Sequence, residues 1–270
     1  MTFRGLIGRA IGRVRGGAEG PALAAPHFDL ESLGPAERAT FATLSDADRS
    51  IVEKALPNTM TGVPRLISLI DSVRYCVDRG IPGAFAECGV WLGGSVMVMA
   101  LVLRDMGVDD RSIHLFDTFE GMTAPTAHDT SAFSRPAVTL HEEAERQGGR
   151  SFPEFFDEGI FDESRVRENV VSTGYPPNLF HFAKGRVEET LPAQAPDQLA
   201  LVRLDTDWYE STRHELVHLY PRLAPGGVLI IDDYGHWDGV KRAVDEYFSA
   251  QAEPLLLSRI DYAARVAVKH

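Results

Sequence analysis

Four carboxylates, Asp205, Asp207, Asp232 and Asp233, stand at the ends of two apolar stretches. The stretches are Leu199-Ala-Leu-Val-Arg-Leu-Asp205-Thr-Asp207 and Val228-Leu-Ile-Ile-Asp232-Asp233. Each reads as a strand, and a helix-length segment and a Pro225-Gly-Gly turn separate them. Parallel strands joined by a helix bring their C-terminal ends to one edge of a sheet, so the acids would meet in one crevice. Uncompensated, they would repel and raise one another's pKa values. A hard divalent cation removes that repulsion, and all-oxygen ligands suit Mg²⁺, Ca²⁺ or Mn²⁺. Residues i and i+2 of a strand point the same way, so Asp205 and Asp207 can address one ligand. Two other readings of Asp205-Thr-Asp207 stay open: the DxD by which glycosyltransferases hold a metal-bound sugar nucleotide, and a solvated strand end. Asp232-Asp233 on the neighbouring strand favours a metal site.

Glu87-Cys-Gly89-Val-Trp-Leu-Gly93-Gly94-Ser95 is a strand end, a glycine-containing turn and a helix start, where a ligand can approach backbone N–H groups closely. The spacing is not G-x-G-x-x-G, which disfavours a dinucleotide pyrophosphate. Asp117 ends the next strand, where an acid commonly grips ribose hydroxyls. A ribose without a pyrophosphate suggests S-adenosylmethionine. The plainer reading is a tight turn and a solvent-facing Asp. His214-Glu215-Leu-Val-His218 matches H-E-x-x-H, in which a zinc peptidase uses the histidines as ligands and the Glu as base. Against this, the acidic tips converge elsewhere, Pro221 soon ends the helix, and no third ligand is evident. The helix is expected to cover a sheet face with its histidines outward and Glu215 dispensable.

These residues need a scaffold. Helices are expected over 35–55 and 64–80, the second on a Leu66, Leu69, Ile70, Val73 and Val77 stripe. A strand over 84–89, a helix to about 106 and a strand over 112–117 follow. Residues 122–160 show no sustained period, and a segment this long inside a domain is usually functional or mobile. Then come a helix over 162–172, strands at 179–183 and 199–205, a helix over 210–223, a strand over 228–232, a helix over 238–250, and strands at 254–260 and 263–268. The alternation predicts an α/β fold: a mostly parallel seven-stranded sheet with helices on both faces, closed by an antiparallel hairpin at one edge.

A chain of 270 residues, 44% apolar and 24% charged, can bury a full core. Its net charge of -12 argues against general nucleic-acid binding. Cys76 and Cys88 form no disulfide framework, and Cys88 reads as a packed thiol, so a reducing cytoplasm is the expected setting. No run approaches the ~20 apolar residues of a membrane span. Residues 1–26 carry Arg4, Arg9, Arg13 and Arg15 among Gly5, Gly8, Gly12, Gly16 and Gly17, which undermine a helix, and read as a flexible basic tail rather than a membrane-surface helix or a cleavable signal.

The quoted motifs, with Thr59-Met60-Thr61, Phe85 to Trp91, Phe116-Asp-Thr-Phe-Glu-Gly121, Leu204 to Thr212 and Pro225-Gly-Gly through Asp233, resemble the macrocin O-methyltransferase family of antibiotic-tailoring enzymes. The resemblance covers about residues 55–250. It implies a class I methyltransferase, Rossmann-like fold over 83–270, preceded by a helical cap at 27–82; the irregular 122–160 segment, following the Asp117 loop beside the expected cofactor pocket, is expected to form a lid. The resemblance also implies S-adenosylmethionine- and Mg²⁺-dependent methylation of a sugar or related hydroxyl on a secondary metabolite. Metal ligation falls to Asp205, Asp232 and Asp233, and the general base is Asp207. S-Adenosylmethionine is placed against Thr59, Met60, Glu87, Cys88, Gly89, Val90, Trp91, Ser95, Asp117, Thr118, Phe119 and Glu120, with Asp162 on the adenine side. The acceptor is expected to be a glycosylated natural product, and the chain to assemble with copies of itself. A metal-dependent glycosyltransferase and a non-catalytic scaffold are the competing functions.

Overall fold

A computed structural model describes residues 29–157 and 159–270; the expected basic tail lies outside the described residues. Among the described residues three α-helices precede the sheet: α1 (Pro35–Ala42), α2 (Asp46–Ala55) and α3 (Val63–Asp78). The helix expected over 35–55 is therefore two. Ser45 breaks it, because its Oγ accepts the Asp48 N–H at 3.1 Å and starts a new helix. The α/β alternation follows with β1 (Ala84–Cys88), α4 (Gly94–Asp105) and β2 (Ile113–Asp117). The insertion is less irregular than its sequence, since it holds α5 (Ala137–Arg146) and the single turn α6 (Pro153–Phe156). Next come α7 (Glu163–Ser172), β3 (Phe180–Lys184), the short α8 (Val187–Thr190) and β4 (Leu199–Leu204). The chain closes with α9 (Tyr209–Leu219), β5 (Leu223–Ile231), α10 (Asp238–Ser249), β6 (Ser258–Arg259) and β7 (Arg265–Val268).

Among the described residues seven strands run in the order β3-β2-β1-β4-β5-β7-β6. The first five are parallel, and β7 pairs antiparallel with both β5 and β6. Pro225-Gly-Gly, expected as a turn, lies within β5. It is absorbed as a bulge where the pairing jumps from Leu199↔Leu223 to Leu201↔Val228.

Strand periodicity builds the core. Phe85, Leu201, Val228 and Ile230 face α3 and α4, joining Leu66, Leu69, Val73, Met99 and Leu103. The alternate residues Ala86, Cys88, Val202, Leu229 and Ile231 face the other way and join Leu216, Val240 and Val244 of α9 and α10. The strand order reverses between β1 and β4: the chain runs outward through β2 and β3, then returns to β4 beside β1. The loops after β1 and β4 therefore diverge and leave a crevice at the C-terminal edge. No helix among the described residues is long and apolar enough to cross a membrane.

Candidate active site

All five parallel strands deliver their C-terminal tips to one cavity. Of the residues singled out in the sequence, Thr59, Met60, Glu87, Gly89, Val90, Trp91, Ser95, Asp117, Thr118, Asp205, Asp207, Asp232 and Asp233 line it. Gly89, at φ 78°, is fixed by packing as well as conformation, because a Cβ there would overlap the Asp205 carbonyl. Asp205 N donates to Cys88 O at 2.9 Å, so β1 and β4 stay paired up to the point where their loops part. Asp117 holds the β1 loop from the other side: Oδ2 accepts the Val90 N–H at 2.7 Å and Oδ1 the Phe119 N–H at 2.8 Å. An ionised carboxylate has lone pairs left for a ligand hydroxyl after these bonds.

Four of the expected cofactor contacts do not line the cavity. Cys88 alternates with Glu87 on β1 and points to the opposite face, where it is fully buried. Phe119 packs against Phe161 and Phe182. Glu120 turns to solvent and pairs with Lys184 at 2.9 Å. Asp162 is the N-cap of α7, its Oδ1 accepting from Arg165 N at 2.9 Å. Conversely, Gly185, Arg186, Val187 and Glu188 line the cavity and were not foreseen. Their signal was positional, since they follow β3 as the other loops follow their strands.

The acids are not uncompensated, which corrects the expectation that they repel without a cation. Arg203, inside β4, donates to Glu87, to Asp205 Oδ2 at 2.6 Å, to Asp232 and to Thr61 Oγ1 at 2.9 Å. Arg65, from α3, pairs with Asp232 and with Asp261 Oδ2 at 2.7 Å. Arg203 and Arg65 outweigh burial at Asp232 and hold its carboxyl below the usual carboxylate range. Two guanidiniums do not neutralise the rest. Burial first, then neighbouring acids, push Asp205 and Asp233 well up. Burial and Asp205 push Asp207 up to about 8. A divalent cation would fit this set. Asp205, Asp232 and Asp233 each offer an oxygen within 4.8 Å of the others, and Asp233 Oδ2 is buried with no hydrogen-bond partner among the described residues.

Asp207 sits at φ 67°, left-handed for a non-glycine residue. Trp237 Nε1 donates to its Oδ1 at 2.9 Å, and Trp208 N closes a tight turn on Thr206 O at 2.9 Å. The insertion is latched beside it. Trp208 Nε1 donates to Thr123 O at 2.9 Å, and buried Asp129 accepts the Tyr209 N–H at the start of α9 at 2.7 Å. Thr130 Oγ1 donates to Asp238 Oδ2 at 2.6 Å, and Trp91 Nε1 to Phe155 O at 3.0 Å. Met122, Thr123 and Phe156 of this insertion line the cavity.

The H-E-x-x-H helix is α9. His214 and His218 lie on its half-buried side with rings 4.3 Å apart, and they join no third ligand: among the described residues the potential metal cluster is Asp205, Asp232 and Asp233. His214→Ala is expected to keep activity within a few-fold of wild type, measured as initial methyl-transfer rate; loss of bound zinc together with activity would revive the zinc reading. Glu215 departs from expectation. It is completely buried, and its Oε1 accepts from Thr206 Oγ1 at 2.8 Å, directly beneath the Asp205-Thr206-Asp207 loop.

A family model described as macrocin-O-methyltransferase (TylF) matches residues 38–268. The chain is 38% identical over 209 residues to the 8-demethyl-8-(2,3-dimethoxy-alpha-L-rhamnosyl)-tetracenomycin-C 4'-O-methyltransferase of Streptomyces olivaceus, covering 75% of this chain and 73% of that one. It is 31% identical over 219 residues to the demethyldecarbamoylnovobiocin O-methyltransferase of Streptomyces niveus, covering 79% and 78%. Its fold is similar to the solved O-methyltransferase NovP, with a TM-score of 0.64 at 30% identity over 78% of this chain and 82% of that one.

Proposed function

We propose an acceptor and a mechanism for this chain, which belongs to the macrocin-O-methyltransferase family and is an S-adenosylmethionine-dependent O-methyltransferase. The acceptor is a sugar hydroxyl on a secondary metabolite, and Mg²⁺ assists the transfer. The relative from Streptomyces olivaceus is named for 4'-O-methylation of a rhamnosyl tetracenomycin, which supports a sugar acceptor. That the relatives are O-methyltransferases disfavours reading Asp205-Thr206-Asp207 as a glycosyltransferase motif.

The observation that carries the mechanism is the convergence of Asp205, Asp207, Asp232 and Asp233 on the cavity that also holds the β1 loop and Asp117. S-Adenosylmethionine supplies an activated methyl group, so the difficulty lies in the acceptor, whose hydroxyl pKa is far above 7. Thr59, Met60, the Glu87–Trp91 loop (except the inward-turned Cys88), Ser95, Asp117 and Thr118 would hold the cofactor. Asp205, Asp232 and Asp233 would hold the cation, which supplies charge stabilisation at the acceptor oxygen. Asp207 would take the hydroxyl proton as the oxygen bonds to the methyl carbon and the carbon–sulfur bond breaks. A dication beside Asp207 favours its ionised form and so opposes the upward push of burial. Residues 122–160 form a lid over the acceptor, sequestering the reaction from water.

Methyl transfer is expected to stop in excess EDTA and to return when Mg²⁺ is restored. Full activity of metal-free protein in EDTA would sink the cation assignment while leaving the methyltransferase reaction intact.

A further inference from the structure

Glu215 has no part in the mechanism above, although it bonds Thr206, which lines the cavity between Asp205 and Asp207. We propose that Glu215 is a positioning residue that clamps the Asp205-Thr206-Asp207 loop from beneath, acting on the reaction through Thr206 and Asp207. The inference rests on the assignment of Asp207 as the base.

The contacts form a short chain from helix to base. Glu215 projects from the inner side of α9 with no solvent exposure. Thr206 Oγ1 lies 2.8 Å from Glu215 Oε1 and 2.8 Å from Ser211 Oγ, one turn earlier on the same helix. Ser211 Oγ, whose single proton serves Thr206 Oγ1 once Thr206 donates to Glu215, also lies 3.1 Å from Trp208 O. Thr206 and Trp208 flank Asp207, and their backbones are joined across it by the Trp208 N–H to Thr206 O bond. α9 thus grips both neighbours of Asp207. The left-handed backbone at Asp207 is uncommon for a non-glycine residue; Asp tolerates it better than most, and contacts on both sides hold it here. Trp237 fixes the carboxylate end. Glu215, with Ser211, fixes the backbone end.

A purely structural role fits the chemistry poorly. Glu215 faces Cys88 in the same buried layer as Val202, Leu216 and Leu219. Burying a carboxyl there is costly, whereas a Leu of similar reach would pack without that cost. What a carboxyl offers, and Leu does not, is a directed acceptor for the Thr206 hydroxyl. Burial raises the Glu215 carboxyl to about 8, so its neutral form, whose carbonyl oxygen still accepts, is favoured at neutral pH.

The test compares Glu215→Leu, Glu215→Gln and Thr206→Val under saturating Mg²⁺ and acceptor, with S-adenosylmethionine binding measured by calorimetry. Glu215→Leu and Thr206→Val should each lower kcat by roughly 10- to 100-fold, the scale a ~1 Å misplacement can cost. Cofactor affinity should be unchanged, which confines the defect to the reacting geometry. Glu215→Gln keeps an acceptor oxygen for Thr206 and should recover most of the lost rate. The double variant should be no slower than the worse single one, since both act through one contact. A folded Glu215→Leu protein with wild-type kcat, or effects that add in the double variant, would overturn the clamp. Should Glu215→Leu not fold, Thr206→Val at the wild-type rate would overturn it. Asp207→Asn run alongside separates the two readings: an inactive Asp207→Asn with a fully active Thr206→Val removes the clamp alone, and a fully active Asp207→Asn removes the base.

Discussion

Asp207→Asn is expected to lower kcat by about 10²–10⁴, the usual contribution of a positioned general base, with S-adenosylmethionine affinity unchanged. The substitution is unusually clean at this position. Asn keeps an acceptor oxygen for the Trp237 indole, which donates to Asp207 Oδ1 at 2.9 Å. Asn and Asp are also the non-glycine residues that best tolerate the left-handed backbone found here at φ 67°. The loop should therefore hold its shape while losing the group that accepts a proton. Asp205→Asn is the informative partner. It weakens a cation ligand rather than the base, so its defect should shrink as Mg²⁺ is raised, and that of Asp207→Asn should not. Mg²⁺ rescue of Asp207→Asn but not of Asp205→Asn would mean that the two roles are reversed. Full activity of Asp207→Asn would mean that another group takes the proton.

Much of this arrangement is legible in the sequence, for a reason that the core makes plain. The strands are buried on both faces and read as apolar runs, so their polar ends stand out as the sheet's edge. Period and topology then place Glu87, Gly89, Asp117, Asp205 and Asp232 together without side-chain detail. What escapes is long-range and polar. Arg203 looks like an interruption of an apolar strand, yet its fully buried guanidinium must be paired, and its partners Glu87, Thr61 and Asp232 lie 29 to 142 residues away. Asp129 reads as one polar residue in an irregular segment, and only the fold brings it to the first N–H of α9. Glu215 was hidden by a stronger pattern. The H-E-x-x-H match drew attention to the histidines, while the helix turns Glu215 inward and leaves them half-buried at its side. Asp162, placed on the adenine side by the family resemblance alone, caps α7.

Arg203 therefore carries the second large expectation, and it concerns stability. It bonds Glu87, Asp205, Asp232 and Thr61 from a fully buried position on β4. Arg203→Leu would leave those acids buried with Arg65 alone to balance them. Removing one partner of a buried ion pair costs ~3–5 kcal/mol, against a total stability of only ~5–15 kcal/mol for a domain. At this chain length that corresponds to a fall in Tm of about 10 °C. The pH dependence identifies the cause. Burial already raises Glu87 to about 7 even with Arg203 beside it. A carboxyl whose folded pKa lies above its unfolded value loses stabilisation as pH rises from the unfolded value through the folded one. Without Arg203 the folded value climbs further, so Glu87 keeps costing the variant stability above pH 7, where its own contribution in the wild type has levelled off. The Tm deficit should accordingly be larger near about pH 8 than near about pH 6. Arg203→Lys should recover only part of it, since an ammonium cannot span Glu87, Asp205 and Asp232 as the planar fork does. A deficit independent of pH would point to lost packing by the Arg stem instead. A Tm equal to that of the wild type would mean that the acids are neutralised without Arg203.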